Sequence, residues 1–305
     1  MMSHLVSTID NAPVAPGPEV SGNDAPDADD GWRTGGLPAL RAELDRIDHA
    51  IHDLLMRRAG VVEYVARSGK PSAFRPGREA SIIRRLLGRH TGALPPVAVT
   101  RIWRELLAGT TAMQGRFSLA VCDPDHGAPL TQLAREHFGA LTPLRPYAKA
   151  GQALVVLSQG GASVAVLPYP SDSDNWWVSL MHHEPRLYII ARLPFWQPRP
   201  DGAPAAQALV VASTLPDASE EDRSLLGLEC DGDVSRARLS SELSAAGLRA
   251  ETLVLARQQG SPMANVLADV EGYLADDDTR LARLGSVLRR PVVLGAYAVP
   301  VGSER

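Results

Sequence analysis

The sequence predicts an α+β, multidomain chain with an all-helical N-terminal part followed by two smaller mixed parts. Three observations predict it. Apolar residues recur at spacings of three and four from Leu37 to about Gln114; after Gly115 the period shortens to runs of Val, Leu and Ile alternating with helical stretches; and proline-rich segments lie at residues 1–36 and 194–204. With 305 residues and 45% hydrophobic content, the chain can bury two or three modest cores.

Residues 1–36 are rich in Pro, Gly, Asp, Ser and Ala, as in Ala12-Pro13-Val14-Ala15-Pro16, and cannot bury enough apolar surface to offset ordering. A disordered tail is expected there. From Leu37 to about Ser68, Leu40, Leu44, Ile47, Ile51, Leu54, Leu55, Val61, Val62 and Val65 define one amphipathic helix of about 30 residues, roughly 45 Å long. Pro38 suits its first turn, and Gly69 to Pro71 end it. A second helix is expected from Pro76 to His90, with Ile82, Ile83, Leu86 and Leu87 inside. A third follows from Pro96 to about Gln114, with Val99, Ile102, Trp103, Leu106 and Leu107 inside. Two short helices leave much of the long stripe uncovered, so a partner chain is expected.

Beyond Gly115, residues 117–122, 163–167 and 186–193 read as buried strands among helices at 128–138, 148–158 and about 173–182. Residues 194–204, with four prolines, read as a linker. The order after it reads as strand 207–213, helix about 219–226 continued at 234–246, strands 249–256 and 264–272, helix 276–288 and strand 291–298. That βαββαβ order predicts a small antiparallel sheet with helices on one face. The expected divisions fall near 116 and near 200, giving parts at 37–116, 117–198 and 205–300.

Composition narrows the chemistry. Cys122 and Cys230 are too few and too far apart for a disulfide framework or a zinc site, so two free, buried thiols are expected. No metal or cofactor is called for. The first 35 residues lack the basic start and apolar run of a signal peptide, and no stretch has the roughly 18 apolar residues of a membrane span. A cytoplasmic protein without a membrane partner is expected. The net charge of −4 hides a basic block, for residues 36–116 carry 14 Arg and Lys against 7 acids. These cations sit singly at helical spacing with few aromatic neighbours, which favours a small anion over nucleic acid.

The helices carry Arg41, Arg58, Arg67, Arg78, Arg101 and Gln114, with no histidine pair, cysteine or Ser/His/Asp set. Such a site grips a small polyanion and need supply no nucleophile, metal or proton. Arg41 and Arg58 lie 17 residues apart, roughly 25 Å along one helix. One sugar-sized ligand cannot touch both. If both serve a site they serve two copies of it, and an antiparallel pair of long helices would bring Arg41 of one chain beside Arg58 of the other. Thr110 and Gln114, at i and i+4, share a face and can meet a single ligand. Arg78 and Glu79 open the second helix, where one can reach inward and the other can accept from a hydroxyl. Arg46, Arg57, Arg84, Arg85, Arg89 and Arg104 read as solvated surface residues.

The runs Leu40-Arg41-x-x-Leu44-Asp45-x-Ile47-Asp48, Leu54-Leu55-x-Arg57-Arg58, Arg78-Glu79 and Thr110-x-x-x-Gln114 resemble the all-helical chorismate mutases over residues 37–116. The resemblance implies an intertwined homodimer with two sites and a dicarboxylate substrate, chorismate. It implies that Arg41 of the partner chain and Arg58 of the same chain clamp carboxylates. Arg78 is then a further cation, Glu79 meets the ring hydroxyl, and Thr110 and Gln114 line the ether end. The family lysine falls at Gly69 in direct register; Lys70, one residue on, is assigned the role ahead of Arg67. Arg75 stands where the family commonly has an aspartate.

Residues 130–193 resemble part of a prephenate dehydratase through Ala134-x-x-x-Phe138-Gly139, Val164 to Pro168 and Arg186 to Ile190, and residues 205–300 resemble an ACT regulatory domain ending in Val293 to Tyr297. Where the dehydratase pattern has Glu-Asn-Ser/Thr this chain has Tyr169-Pro170-Ser171, and where it has Thr-Arg-Phe it has Pro185-Arg186-Leu187. The reading that follows is a chorismate mutase of phenylalanine and tyrosine biosynthesis with a non-catalytic or regulatory C-terminal part. Isochorismate pyruvate lyase, a regulatory pseudoenzyme and a bifunctional mutase/dehydratase are the alternatives.

Overall fold

A computed structural model describes residues 35–67, 74–124, 128–257 and 260–302. The expected tail and Lys70 lie outside the described residues. The chain divides into two compact units, one ending at Arg58 and the other running from Ala59 to the C-terminus. Among the described residues no helix is long and apolar enough to cross a membrane.

The first unit contains the greater part of α1 (Gly36–Arg67), an unbroken helix that matches the predicted span. None of its residues is buried, and the predicted stripe stands open: Leu44 is 60% exposed and Leu54 64%. Some of its polar side chains pair within the helix. Arg46 pairs with Glu43 at 2.6 Å, and His49 Nδ1 lies 2.6 Å from the Asp45 carbonyl oxygen.

The second unit opens with the end of α1 and continues through α2 (Pro76–Gly88) and α3 (Pro96–Ala112), each with Pro in its first turn, where a missing N–H costs nothing. A single nine-stranded sheet follows. Its strands are β1 (Leu119–Cys122), β2 (Leu144–Tyr147), β3 (Val164–Pro168), β4 (Tyr188–Leu193), β5 (Ala208–Ala212), β6 (Asp222–Asp231), β7 (Ala250–Arg257), β8 (Met263–Glu271) and β9 (Arg289–Ala298), in the spatial order β2-β1-β3-β5-β4-β9-β6-β8-β7. β1 is parallel to β2 and β3, whereas β5 is antiparallel to β3 and β4.

The first part of the sheet is covered on both faces, which explains its continuous apolar runs. Leu119 and Val121 turn towards α4 (Pro129–Phe138), and Ala120 and Cys122 turn towards α5 (Ala150–Ser158). The last four strands pack Leu226, Leu228, Val266 and Ala268 against α6 (Arg236–Ala245), whose N-cap Ser235 accepts from the Arg238 amide. β4 meets β9 through the register pair Ile189 and Gly295. A Cβ on Gly295 would stand 2.0 Å from the Ile189 oxygen, so only glycine lets the two strands approach. Both cysteines are buried and neither is in a disulfide, as expected.

Five details differ from the sequence-based expectation. Residues 208–212 pair inside the first part of the sheet, so the predicted βαββαβ unit begins instead at β6. The stretch at 222–231 is a strand, because its alternating apolar residues are buried between β8 and β9. The predicted helix at 276–288 holds only a 3-10 turn at Leu281–Arg283, and the helix at 173–182 is a 3-10 helix at Trp176–His182. The proline-rich 194–204 is a packed strap: Phe195 is buried against Ala80, Ile83, Leu107 and Ala298, and its carbonyl accepts from Val301 N at 2.8 Å.

Candidate active site

The predicted site residues fall into separate groups. Arg41 and Arg58 lie on α1 in the first unit, Arg41 exposed and Arg58 half-buried. With α1 unbroken between them, helical rise puts them roughly 25 Å apart along the axis. Arg67, in the second unit, is exposed and paired with Glu63 one turn back.

Arg78, Glu79, Thr110 and Gln114 all lie in the second unit. The N-terminus of α2 is held by Asp217, whose carboxylate accepts from Gly77 N at 3.1 Å and Arg78 N at 3.0 Å, satisfying two amides that have no intrahelical partner. A Cβ on Gly77 would meet the Asp217 carbonyl oxygen at 2.2 Å, so glycine permits the contact. This anchoring leaves the Arg78 side chain exposed and turns Glu79 inward. On α3 the Thr110 hydroxyl donates to the carbonyl oxygens of Leu106 and Leu107, both at 3.0 Å. The Gln114 side-chain amide donates to the Thr110 carbonyl oxygen at 3.1 Å, so these two residues do come together.

Glu79 sits in a cluster that spacing alone did not announce. Its carboxylate accepts from Arg104 Nη1 at 3.0 Å, with both side chains buried. The same Nη1 stands 3.4 Å from Nε2 of the buried His137 on α4. If Arg104 donates there, the proton of the neutral imidazole lies on Nδ1. The guanidinium also lies 4.6 Å over the Phe195 ring. Burial pushes the Arg104 pKa down to about 10 against the opposing field of Glu79. Burial, and then the Arg104 charge, hold His137 well below 6.5, so it is neutral at pH 7.

Two arginines expected at the surface are therefore structural. Arg104 is 4% exposed, and half-buried Arg84 donates to the carbonyl oxygens of Ser219, Glu221 and Val299. A signal for Arg104 existed. Thr100, Arg104, Leu107 and Thr111, all buried, recur at four, three and four residues, which is itself a helical face. The predicted inner face is displaced from it: Ile102 is 53% exposed. His137 had no such signal, since it is defined by a partner distant in sequence.

Comparison with known proteins bears on the helical part. Residues 40–115 match the family model described as Chorismate mutase type II, in agreement with the resemblance drawn from the motifs. The bifunctional chorismate mutase/prephenate dehydratase of Stutzerimonas stutzeri is 27% identical over 147 residues, 46% of this chain and 40% of that protein. The protein of the same description from Neisseria gonorrhoeae is 32% identical over 100 residues, 32% of this chain and 27% of that one. The chain thus spans about two fifths of the length of the first of these relatives. Among solved structures, one described as a novel type of quorum quenching acylase covers 60% of this chain and 95% of its own at a TM-score of 0.45 and 18% identity. A prephenate dehydratase from Streptococcus mutans covers 60% and 98% at 0.43 and 14%.

Proposed function

We propose that this protein is a chorismate mutase, converting chorismate to prephenate in phenylalanine and tyrosine biosynthesis, and that it acts as a homodimer with two cross-chain sites. The observation that carries the reading is the family match over residues 40–115, the stretch that contains Arg41, Arg58, Arg78, Glu79, Thr110 and Gln114. In this reading a carbon–oxygen bond breaks as a carbon–carbon bond forms within one molecule, and no nucleophile or general base is required. The protein has to hold the diaxial conformer and stabilise negative charge growing on the ether oxygen. Arg58 and the partner chain's copy of Arg41 clamp carboxylates through paired N–H donors. Gln114 donates to the ether oxygen, aided by Lys70. Arg78 adds a further cation, Thr110 lines the ether end, and Glu79, oriented by Arg104, meets the ring hydroxyl.

The dimer is supported by the roughly 25 Å between Arg41 and Arg58 and by the open stripe of α1. In the C-terminal part the proposed role is scaffold or regulator, with modules at 117–198 and 205–300. The order β9-β6-β8-β7 with a single covering helix supports an ACT-like reading of the last module. Against dehydratase chemistry, Arg186 is consumed by Asp276 at 2.7 Å and the Val293 oxygen at 2.8 Å, and the Tyr169 hydroxyl donates to Asp269 at 3.1 Å.

The test is to supply purified protein with chorismate, isochorismate or prephenate. Prephenate formed from chorismate supports the reading. Pyruvate from isochorismate would make it a lyase, phenylpyruvate from prephenate would make it bifunctional, and no turnover would leave a regulatory pseudoenzyme. Mixing Arg41→Ala with Arg58→Ala chains should restore one of the two sites in each mixed dimer. Absence of rescue would sink the cross-chain assignment.

A further inference from the structure

The cation on α3 that the mutase reading does not use, Arg101, lines a cavity of about 290 Å³ within the second unit. The cavity lies between α3, α4 and the strap at 194–203, and neither Arg78 nor Gln114 lines it. Its lining is of two kinds. One is aromatic and aliphatic, with Phe195, Trp196 and Leu133; the other is cationic, with Arg101, Arg104 and Arg199.

The cations are not equally committed. Arg199 is neutralised by Glu136 at 2.8 Å, which also lines the cavity. Arg104 gives both Nη1 protons to Glu79 and His137, yet its Nε is buried with no hydrogen-bond partner, and its Nη2 makes no hydrogen bond among the described residues. Arg101 forms no ion pair among the described residues. A buried donor without an acceptor is costly and is seldom left so without a reason. Nε is sealed from the cavity, whereas Nη2 is not among the sealed atoms, and an acceptor brought by a ligand would meet Nη2. The exposed carboxylate of Asp201 is the remaining charge in the lining and opposes an anion.

We propose that this cavity binds a small planar carboxylate, with the carboxylate accepting from Arg101 and from Nη2 of Arg104 and a single ring against Trp196 and Phe195. The volume admits one ring and one carboxylate and sits at the small end of ligand pockets. Bare phosphate would leave the apolar lining unfilled, and an uncharged ring would leave Nη2 of Arg104 unmet. This inference does not depend on the mutase reading, since its readout is binding.

The experiment is calorimetric titration of the full chain with benzoate, alongside acetate and inorganic phosphate. Benzoate should bind one per chain with a Kd on the order of 0.1–1 mM. Arg101→Gln should weaken it about tenfold, Trp196→Phe should weaken it less, and Asp201→Asn should tighten it. Each variant should keep the wild-type far-ultraviolet circular dichroism. Arg101 and Asp201 are exposed, so the test survives a failure of Trp196→Phe to fold. No heat at about 10 mM benzoate, binding unchanged by Arg101→Gln, or phosphate or acetate binding as tightly as benzoate would each overturn the assignment.

Discussion

The first helix and the two that follow it carry the same kind of apolar periodicity and use it differently. α1 buries none of its residues, whereas α2 and α3 bury Ala80, Ile83 and Leu107 against Phe195 and Ala298 and add a buried ion pair. A fully buried Leu or Ile is worth about 1.5–3 kcal/mol relative to an exposed one. α1 leaves that gain unrealised at Leu44, Ile51, Leu54 and Val61. The pattern that makes a helix is local, but what covers it is not. On the proposed reading the cover of α1 is a second copy of the chain.

The sharpest way to break this comparison is to place a charge on the open stripe. Ile51→Asp should convert the proposed dimer to monomer in sedimentation experiments and reduce chorismate turnover by about 100-fold or more, because a desolvated, unpaired carboxylate cannot be accommodated. The melting of the sheet should be unchanged. A monomeric variant with full turnover would mean that one chain completes its own site.

The converse test acts on α3. Arg104→Met removes the buried ion-pair partner that Glu79 has on α3 and should lower stability by about 3–5 kcal/mol, read from urea unfolding. Replacing both, Glu79→Leu with Arg104→Met, should recover most of the loss. If the single replacement costs no more than an exposed pair, under about 1 kcal/mol, the cluster does not fasten the helices.

How far this was legible in the sequence follows from the range of each interaction. The spans of α1, α2 and α3 were readable because caps, prolines and the three-and-four spacing are local. Residues 219–226 read as helix because Leu225 and Leu226 suit either period until β8 and β9 are seen on either side of the strand at 222–231. The strap at 194–204 reads as a linker in sequence because its prolines hide the anchoring of Phe195 and Trp196. The motif set from Arg41 to Gln114 could be read because it is a register. The Arg104 to His137 contact could not, because it joins residues 33 apart on different helices.

His137 offers a graded test of the same cluster. Burial and Arg104 hold its folded pKa well below 6.5, so between that value and 6.5 the unfolded chain binds more protons than the folded one. Its contribution to stability is therefore present above about pH 6.5 and is lost as the pH falls towards the folded pKa, by at most about 1.4 kcal/mol per pH unit. The groups facing it are Arg104 from α3 and, through Arg104, Glu79 from α2, with Phe195 from the strap. His137→Asn should flatten the decline of Tm between pH 7 and 5. An unchanged slope would assign the decline to other groups.

The smallest expected effect settles which cation serves the ether end. Arg67 is 73% exposed and its partner Glu63 57%, an i, i+4 pair of the kind worth about 0.3–0.5 kcal/mol. Arg67→Ala should thus shift Tm by no more than about 2 °C. If Lys70 supplies the charge beside Gln114, Arg67→Ala should also leave turnover within about twofold, whereas Lys70→Ala should lower it by about 100-fold, the cost of removing one transition-state donor. The reverse pattern would move the role to Arg67. It would also mean that the Glu63 pair at the end of α1 opens when substrate arrives, since the same guanidinium would have to leave it to reach the ether oxygen.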